Sequence, residues 1–315
     1  MAKMQRNTLL VILSFFAIYF IWGSTYLWNK IAVTELPAFM LAGIRFVTAG
    51  SLIFIISKFL GLPLKISKQE FKNTFIAGFL FLTFGNGVVV WALKFVDSGF
   101  AALEVSAQPL VVLLMMRILQ GKKIQPMSII GVILGIIGIF LLVGQKEIIA
   151  QEGAVLGMIL IFICMLSWSY GSLFVGKAVL PKNFFVNTGY QMLTSGLSLM
   201  IISTFLGEKW SSPLTWSTPV IWSMLLLIIF GSIITFTAFN YLLRIVSPDK
   251  VATSTYVNPI VAMLLGWYFL NENITLQSAI ASVVLLTGVY FINTKKSLTI
   301  LSRFSGKRIP KKIIE

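Results

Sequence analysis

LKFVDSGFAALEVSAQPLVVLLM (93–115) recurs 150 residues later as LRIVSPDKVATSTYVNPIVAMLL (243–265), aligned without a gap. Pro109 meets Pro259, Gln108 meets Asn258, and the register runs on to Gly138 and Gly288. A second match, at a shift of 146, sets Trp22 against Trp168 and GIRFVTAG (43–50) against GYQMLTSG (189–196). Shared apolar composition produces some identities by chance, but aligned Pro, Gly, Trp and Thr are harder to obtain that way. The chain therefore reads as a duplication: a first repeat at 1–146, a second at 147–293, and a basic tail at 294–315.

Composition says what each copy is made of. The 315 residues are 57% hydrophobic and only 11% charged, with a mean hydropathy of +0.93. A soluble domain of this length needs far more surface charge, so the chain reads as a multispanning membrane protein. Its net charge of +15 does not point to nucleic acid. The basic residues sit between apolar segments and in the tail, not in one patch interleaved with aromatics. A single cysteine, Cys164, excludes a disulfide framework. The start, MAKMQRNTLLVIL, is basic then apolar without a small-residue cleavage site, which predicts an uncleaved first membrane helix.

A spanning helix needs about 20 mostly apolar residues. Such segments fall at 8–33, 38–57, 72–93, 99–118 and 127–144, then at 154–177, 184–206, 220–242, 251–270 and 275–293. Polar, Pro and Gly clusters such as TELP (34–37), QGKKIQP (120–126) and LPKN (180–183) separate them. Lys and Arg concentrate before the first span, in alternate loops and after the last span, while the other loops hold only Lys94, Lys146 and Lys209. The positive-inside rule then puts both termini in the cytoplasm. Five spans per repeat is an odd number, so the second copy enters the membrane from the opposite side. The expected fold is an all-α polytopic membrane protein: ten transmembrane helices as two inverted-topology five-helix repeats. That arrangement suits alternating access, because exchanging the two halves' conformations interconverts inward-open and outward-open shapes. The tail, with Leu298, Leu301, Phe304 and Ile309 among its basic residues, reads either as resting on anionic lipid or as a disordered basic tail.

WGSTYLWNKIAV followed by ELPAFMLAGIRF (22–46) resembles an EamA-type member of the drug/metabolite transporter superfamily. So do ALKFVDSGFAAL with QPL at the third and fourth spans, and NPIVAMLLGWYFLNENITL at the ninth. The resemblance covers residues 8–293. It implies ten helices, a central cavity lined chiefly by helices one, three, four, six, eight and nine, and small-molecule transport, often export of amino acids or related metabolites. Two departures stand out. The Gly-Glu that usually follows the fourth span reads Gln120-Gly121-Lys122 here, whereas after the ninth an acid, Glu272, is kept with Asn271 in place of Gly. Glu104 occupies a position usually apolar in the family.

The residues themselves nominate the same helices. Trp22, Thr25, Tyr26 and Asn29 share one face of the first helix, and Trp168 and Ser172 are the sixth-helix counterparts. Thr83 and Asn86 share a face of the third helix, and Thr237 and Asn240 a face of the eighth. Polar groups do not face lipid, so they either line a cavity or join helices. The expected substrate-lining set is Trp22, Tyr26, Asn29, Asn86, Glu104, Gln108, Trp168, Tyr256 and Asn258. Arg45 lies eight residues beyond Pro37, and Glu104 seven beyond Asp97, both counted from the outer side. At about 1.5 Å per residue both sit roughly 10–12 Å below the outer boundary. Opposite charges at matched depth predict an ion pair between helices two and four; the alternative makes Glu104 a site for a substrate amine or a proton. Lys30 and Lys94 sit near outer helix ends and can snorkel.

The absence of histidine, of a cysteine pair, of a nucleophile elbow and of a Walker A motif gives no footing for an intramembrane enzyme or an ATP-driven pump, and no cofactor or metal is implied. The expected function is a secondary transporter in the plasma (inner) membrane, exporting amino acids, related small metabolites or amphipathic drugs. An uptake permease, a passive channel and a non-transporting scaffold are the alternatives.

Overall fold

The protein is described by a computed structural model covering residues 2–145, 151–245, 251 and 254–293, of which the side chains of 2–7, 255, 256 and 293 are outside the description. Among the described residues there are helices and connecting turns but no strand. Ten helical rods follow one another among the described residues. They are α1 (Thr8–Val33), α2 (Ala38–Phe59), α3 (Lys68–Ala92), α4 (Ser98–Gln120), α5 (Pro126–Val143), α6 (Ala154–Val175), α7 (Phe184–Phe205), α8 (Thr218–Ile245), α9 (Ser254–Leu270) and α10 (Leu276–Asn293). Seven of them, α1 to α6 and α8, are long and apolar enough to cross a membrane. Two more, in α9 and α10, hold shorter apolar stretches at Val257–Leu270 and Leu276–Ile292. The bundle is a polytopic membrane protein, and its outside agrees: Phe59 is 88% exposed, Phe205 86% and Phe140 76%. Aromatic side chains left bare on this scale would aggregate in water but are at home in lipid.

Why the rods start and stop is local. Ser67 and Glu70 form a capping box at the start of α3, each satisfying the other's backbone N–H. Pro126 opens α5, where a missing N–H costs nothing. After α4, Gly121 turns left-handed (φ 65°) and the Lys122 N–H reaches back six residues to the Met116 carbonyl. After α9, Asn271 adopts the same conformation (φ 54°) and the Glu272 N–H reaches the Gly266 carbonyl. Both ends are Schellman caps, and asparagine is the residue that tolerates glycine's role best.

Two tight helix pairs dominate the packing: α2 against α7, and α5 against α10. Glycines carry both. A Cβ on Gly196 would meet the Val47 backbone nitrogen at 2.5 Å and the Gly43 carbonyl at 3.0 Å. One on Gly131 would meet the Gly288 carbonyl at 2.5 Å, and one on Gly138 the Leu285 Cα at 2.9 Å. Lipid tails are as apolar as leucine, so close backbone approach rather than hydrophobicity drives this association.

Three rods depart from regular α geometry. α1 is π-helical at Ala17–Ile21, α3 at Phe79–Asn86 and α8 at Leu227–Ile234. α4 breaks at Ser106–Ala107, between helical segments Ser98–Val105 and Gln108–Gln120. The reason is Pro109, which has no N–H to give and restrains the residue before it. Glu104 and Gln108, four residues apart in the sequence, are thus separated by a turn. The 146/147 repeat boundary and the tail at 294–315 lie outside the described residues.

Candidate functional site

The buried polar groups gather where α1, α2, α3 and α8 meet. Arg45 on α2 is 2% exposed. Its Nε donates to Ser232 Oγ of α8 at 2.7 Å, and its Nη1 donates to Asn29 Oδ1 of α1 at 3.4 Å and Asn86 Oδ1 of α3 at 3.5 Å. Every one of those partners is neutral. Two of them, Asn86 and Ser232, sit on the π-helical turns, where the wider coil re-aims side chains.

The ion pair expected between Arg45 and Glu104 is not formed. Arg45 points to α8, α1 and α3, and Glu104 Oε2, on a residue only 4% exposed, has no hydrogen-bond partner. Matched depth carries no information on which way around the helix each side chain points. Gln108 is half-buried, and no hydrogen bond joins it to Glu104 among the described residues.

A second cluster is aromatic. The Trp22 ring lies 5.8 Å from Trp168 and 5.1 Å from Phe239; Trp168 lies 4.8 Å from Phe81. The two tryptophans matched by the repeat thus meet each other. Tyr26 is half-buried one turn from Trp22 and packs on the main core. Asn258, expected to line a cavity, is instead committed to α1. With its amide nitrogen turned toward the carbonyls it faces, it donates to Tyr19 O at 2.7 Å and Ile18 O at 2.9 Å. Both carbonyls belong to the α1 π-turn, which leaves backbone acceptors for a neighbour to use. The Tyr256 side chain lies outside the described residues. Asn240 of α8 donates to Thr188 Oγ1 at 2.8 Å and Gln191 Oε1 at 3.4 Å, and so joins α8 to α7.

Three functional-looking residues escaped the sequence. Lys30, expected to snorkel, instead donates to the Leu93 and Val96 carbonyls at 2.8 and 2.7 Å, where a cation complements the end of α3. Glu272 accepts from Ser98 N, Ser98 Oγ and Gly99 N at 2.8, 2.9 and 3.1 Å, capping α4 from the far half of the chain. Glu208 does the same for α2, accepting from Met40 N at 2.8 Å, Phe39 N at 3.2 Å and Ser203 Oγ at 2.6 Å. All three act at one end of the bundle. The repeat offered a signal: the position equivalent to Glu272 is Lys122, so the same Schellman turn presents an acid at one end and a base at the other.

Asp97 sits in this clasp, in the turn before α4. Burial raises its carboxyl above the usual range, Glu272 adds to the rise and Lys30 opposes it. A raised acid binds more protons folded than unfolded, so its contribution to stability falls as pH rises through that window. Asp97→Asn is therefore expected to raise the melting temperature at pH 7–8. The gain should vanish below about pH 4, where the unfolded carboxyl is protonated too. Melting curves of both proteins across pH check this; a gain independent of pH would show that charge is not its source.

A bundle with a lipid-compatible surface, enclosing a guanidinium that meets only neutral groups among the described residues, defines a polytopic membrane protein. The chain belongs to the EamA-like transporter family, whose pattern it matches at residues 9–144 and again at 155–294. It is 35% identical to YedA, an inner membrane transporter of Escherichia coli strain K12, over 90% of both chains. It is 22% identical to the transporter YoaV of Bacillus subtilis, over 90% of this chain and 96% of that one. A crystal structure at 18% identity superposes with a TM-score of 0.65, covering 95% of this chain and 99% of the other, which is a likeness of fold.

Proposed function

We propose that this chain is a secondary transporter of the inner membrane, working by alternating access and exporting amino acids, related small metabolites or amphipathic drugs. The observation that carries the reading is the cluster of Asn29, Asn86 and Ser232 around Arg45. Four polar side chains on four helices converge inside a bundle whose outside is apolar, and a charge at such depth marks a solute path. The two family matches support two repeats, and the pairing of α2 with α7 and of α5 with α10 sets equivalent helices of the halves together. In the inverted ten-span topology with cytoplasmic termini, the Lys30, Glu208 and Glu272 clasps lie at the outer end. Glu208 and Glu272 join the halves there, and opening outward requires releasing them.

Purified protein in liposomes loaded with one unlabelled amino acid at a time should drive uphill entry of the same labelled solute, with saturation. Conductance without saturation or counterflow would make the chain a channel. No flux of any amino acid or amphipathic drug, in protein that still melts cooperatively, would leave it a scaffold. A reporter fused after residue 315 should be active only on the cytoplasmic side; the opposite result would overturn the inversion.

A further inference from the structure

A crevice of about 230 Å³ opens between α1 and α8. It is lined by Ile21, Ser24, Thr25 and Trp28 on one side and Leu226, Phe230 and Gly231 on the other. Phe230 is exposed, so the crevice looks outward into lipid and not toward the helix bundle's interior. Its floor is Gly231. A Cβ there would stand 2.8 Å from Thr25 Cγ2 and 3.2 Å from Arg45 Nη2. The guanidinium therefore lies directly behind the one residue of the lining that has no side chain to cover it. Among the described residues Nη2 makes no hydrogen bond, and Nε and Nη1 reach only neutral oxygens. A buried cation normally has an anion beside it. None is supplied by the described residues at this point, and the crevice offers a route for one.

We propose that this crevice binds an amphipathic carboxylate from the bilayer, with its head on Arg45 Nη2 past Gly231 and its tail along Trp28, Leu226 and Phe230. Charge selects the head: hydrocarbon surrounds the site, so an anion enters only where a fixed cation replaces its water. Shape selects the tail, because the walls are apolar apart from Ser24 and Thr25, whose hydroxyls already donate to the Ile21 and Trp22 carbonyls. Those hydroxyl oxygens keep lone pairs but offer the head no proton, which leaves the Arg45 guanidinium and the Trp28 indole N–H as donors, and of these Arg45 alone carries charge. The site shares Arg45 with the proposed solute path but is approached from the α1–α8 crevice, and binding measured without flux tests it separately from transport.

The test uses the full-length protein in dodecyl maltoside and four probes: dodecanoate, methyl dodecanoate, dodecyltrimethylammonium and acetate. Dodecanoate should raise the melting temperature with concentration, as any ligand of the folded state does. The ester, which lacks the charge, the ammonium, which reverses it, and acetate, which lacks the tail, should not. Leu226→Phe narrows the crevice without touching Arg45, and Gly231→Ala covers the guanidinium. Each should weaken dodecanoate binding by about tenfold or more, equivalent to losing one good charged contact. If Gly231→Ala does not elute as the wild type, Leu226→Phe decides alone. Equal stabilisation by the ester, or dodecanoate binding unchanged in a well-folded Leu226→Phe protein, overturns the proposal.

Discussion

Glu104→Gln should leave the protein as stable as before, or more so, while removing pH-gradient-driven transport. The structure decides the first half. Glu104 is 4% exposed, its Oε2 lacks a hydrogen-bond partner, and Arg45 is engaged by Ser232, Asn29 and Asn86 instead. A glutamine of the same shape loses no ion pair and is cheaper to bury than a carboxylate. Had the two charges been paired, the same substitution would strand a buried guanidinium at a cost of roughly 3–5 kcal/mol. The second half follows from chemistry. With no histidine in the chain, this carboxylate is the group in the spans best able to take up and release a proton or to meet an amine. Gradient-driven flux should drop about tenfold or more, while solute exchange with no gradient persists if Glu104 carries the proton. Melting curves and paired flux assays separate the cases. A large fall in melting temperature would reveal a counter-charge, and unchanged flux would remove Glu104 from the transport path.

Gly196→Ala adds one carbon and should destabilise the bundle by roughly 3 kcal/mol, at the upper end for overpacking. The new Cβ would lie 2.5 Å from the Val47 nitrogen, 2.8 Å from Val47 Cγ2 and 3.0 Å from the Gly43 carbonyl. Two of those three atoms are backbone, so no rotamer change relieves them; α2 and α7 must move apart along their length. The neighbouring Leu197, which is exposed to lipid, is the control, and Leu197→Ala should stay within about 0.5 kcal/mol. Chemical denaturation in mixed micelles measures both. Equal, small effects at the two positions would mean that α2 and α7 are not clamped through this glycine.

Much of the molecule was legible in one dimension. Hydropathy placed the rods to within a few residues: α5 was expected at 127–144 and runs Pro126–Val143, α7 at 184–206 and runs Phe184–Phe205. Gly131, Gly135 and Gly138 recur every third or fourth position and so lie on one side of α5, where Gly131 and Gly138 meet α10. The family was legible too, through WGSTYLWNKIAV and ELPAFMLAGIRF (22–46) and the proline motifs QPL and NPI of the fourth and ninth spans. Which polar side chains meet was not. Lys30 turned toward the end of α3, Asn258 toward the α1 π-turn, and Glu272 toward the start of α4. Each partner is a backbone group, and every residue has one, so no pattern of side chains advertises it.

The sequence by itself determined that this chain crosses the membrane as helices, because within lipid each backbone N–H must find its acceptor inside its own segment, and that requirement can be read segment by segment. It also proposed how deep each charge lies, by counting residues at a constant rise from the outer end. Only the tertiary structure decided that Arg45 and Glu104 stay apart. Direction around a helix depends on π-turns, on the break before Pro109 and on how closely glycines let neighbouring rods approach, and these are settled jointly by all the helices in contact.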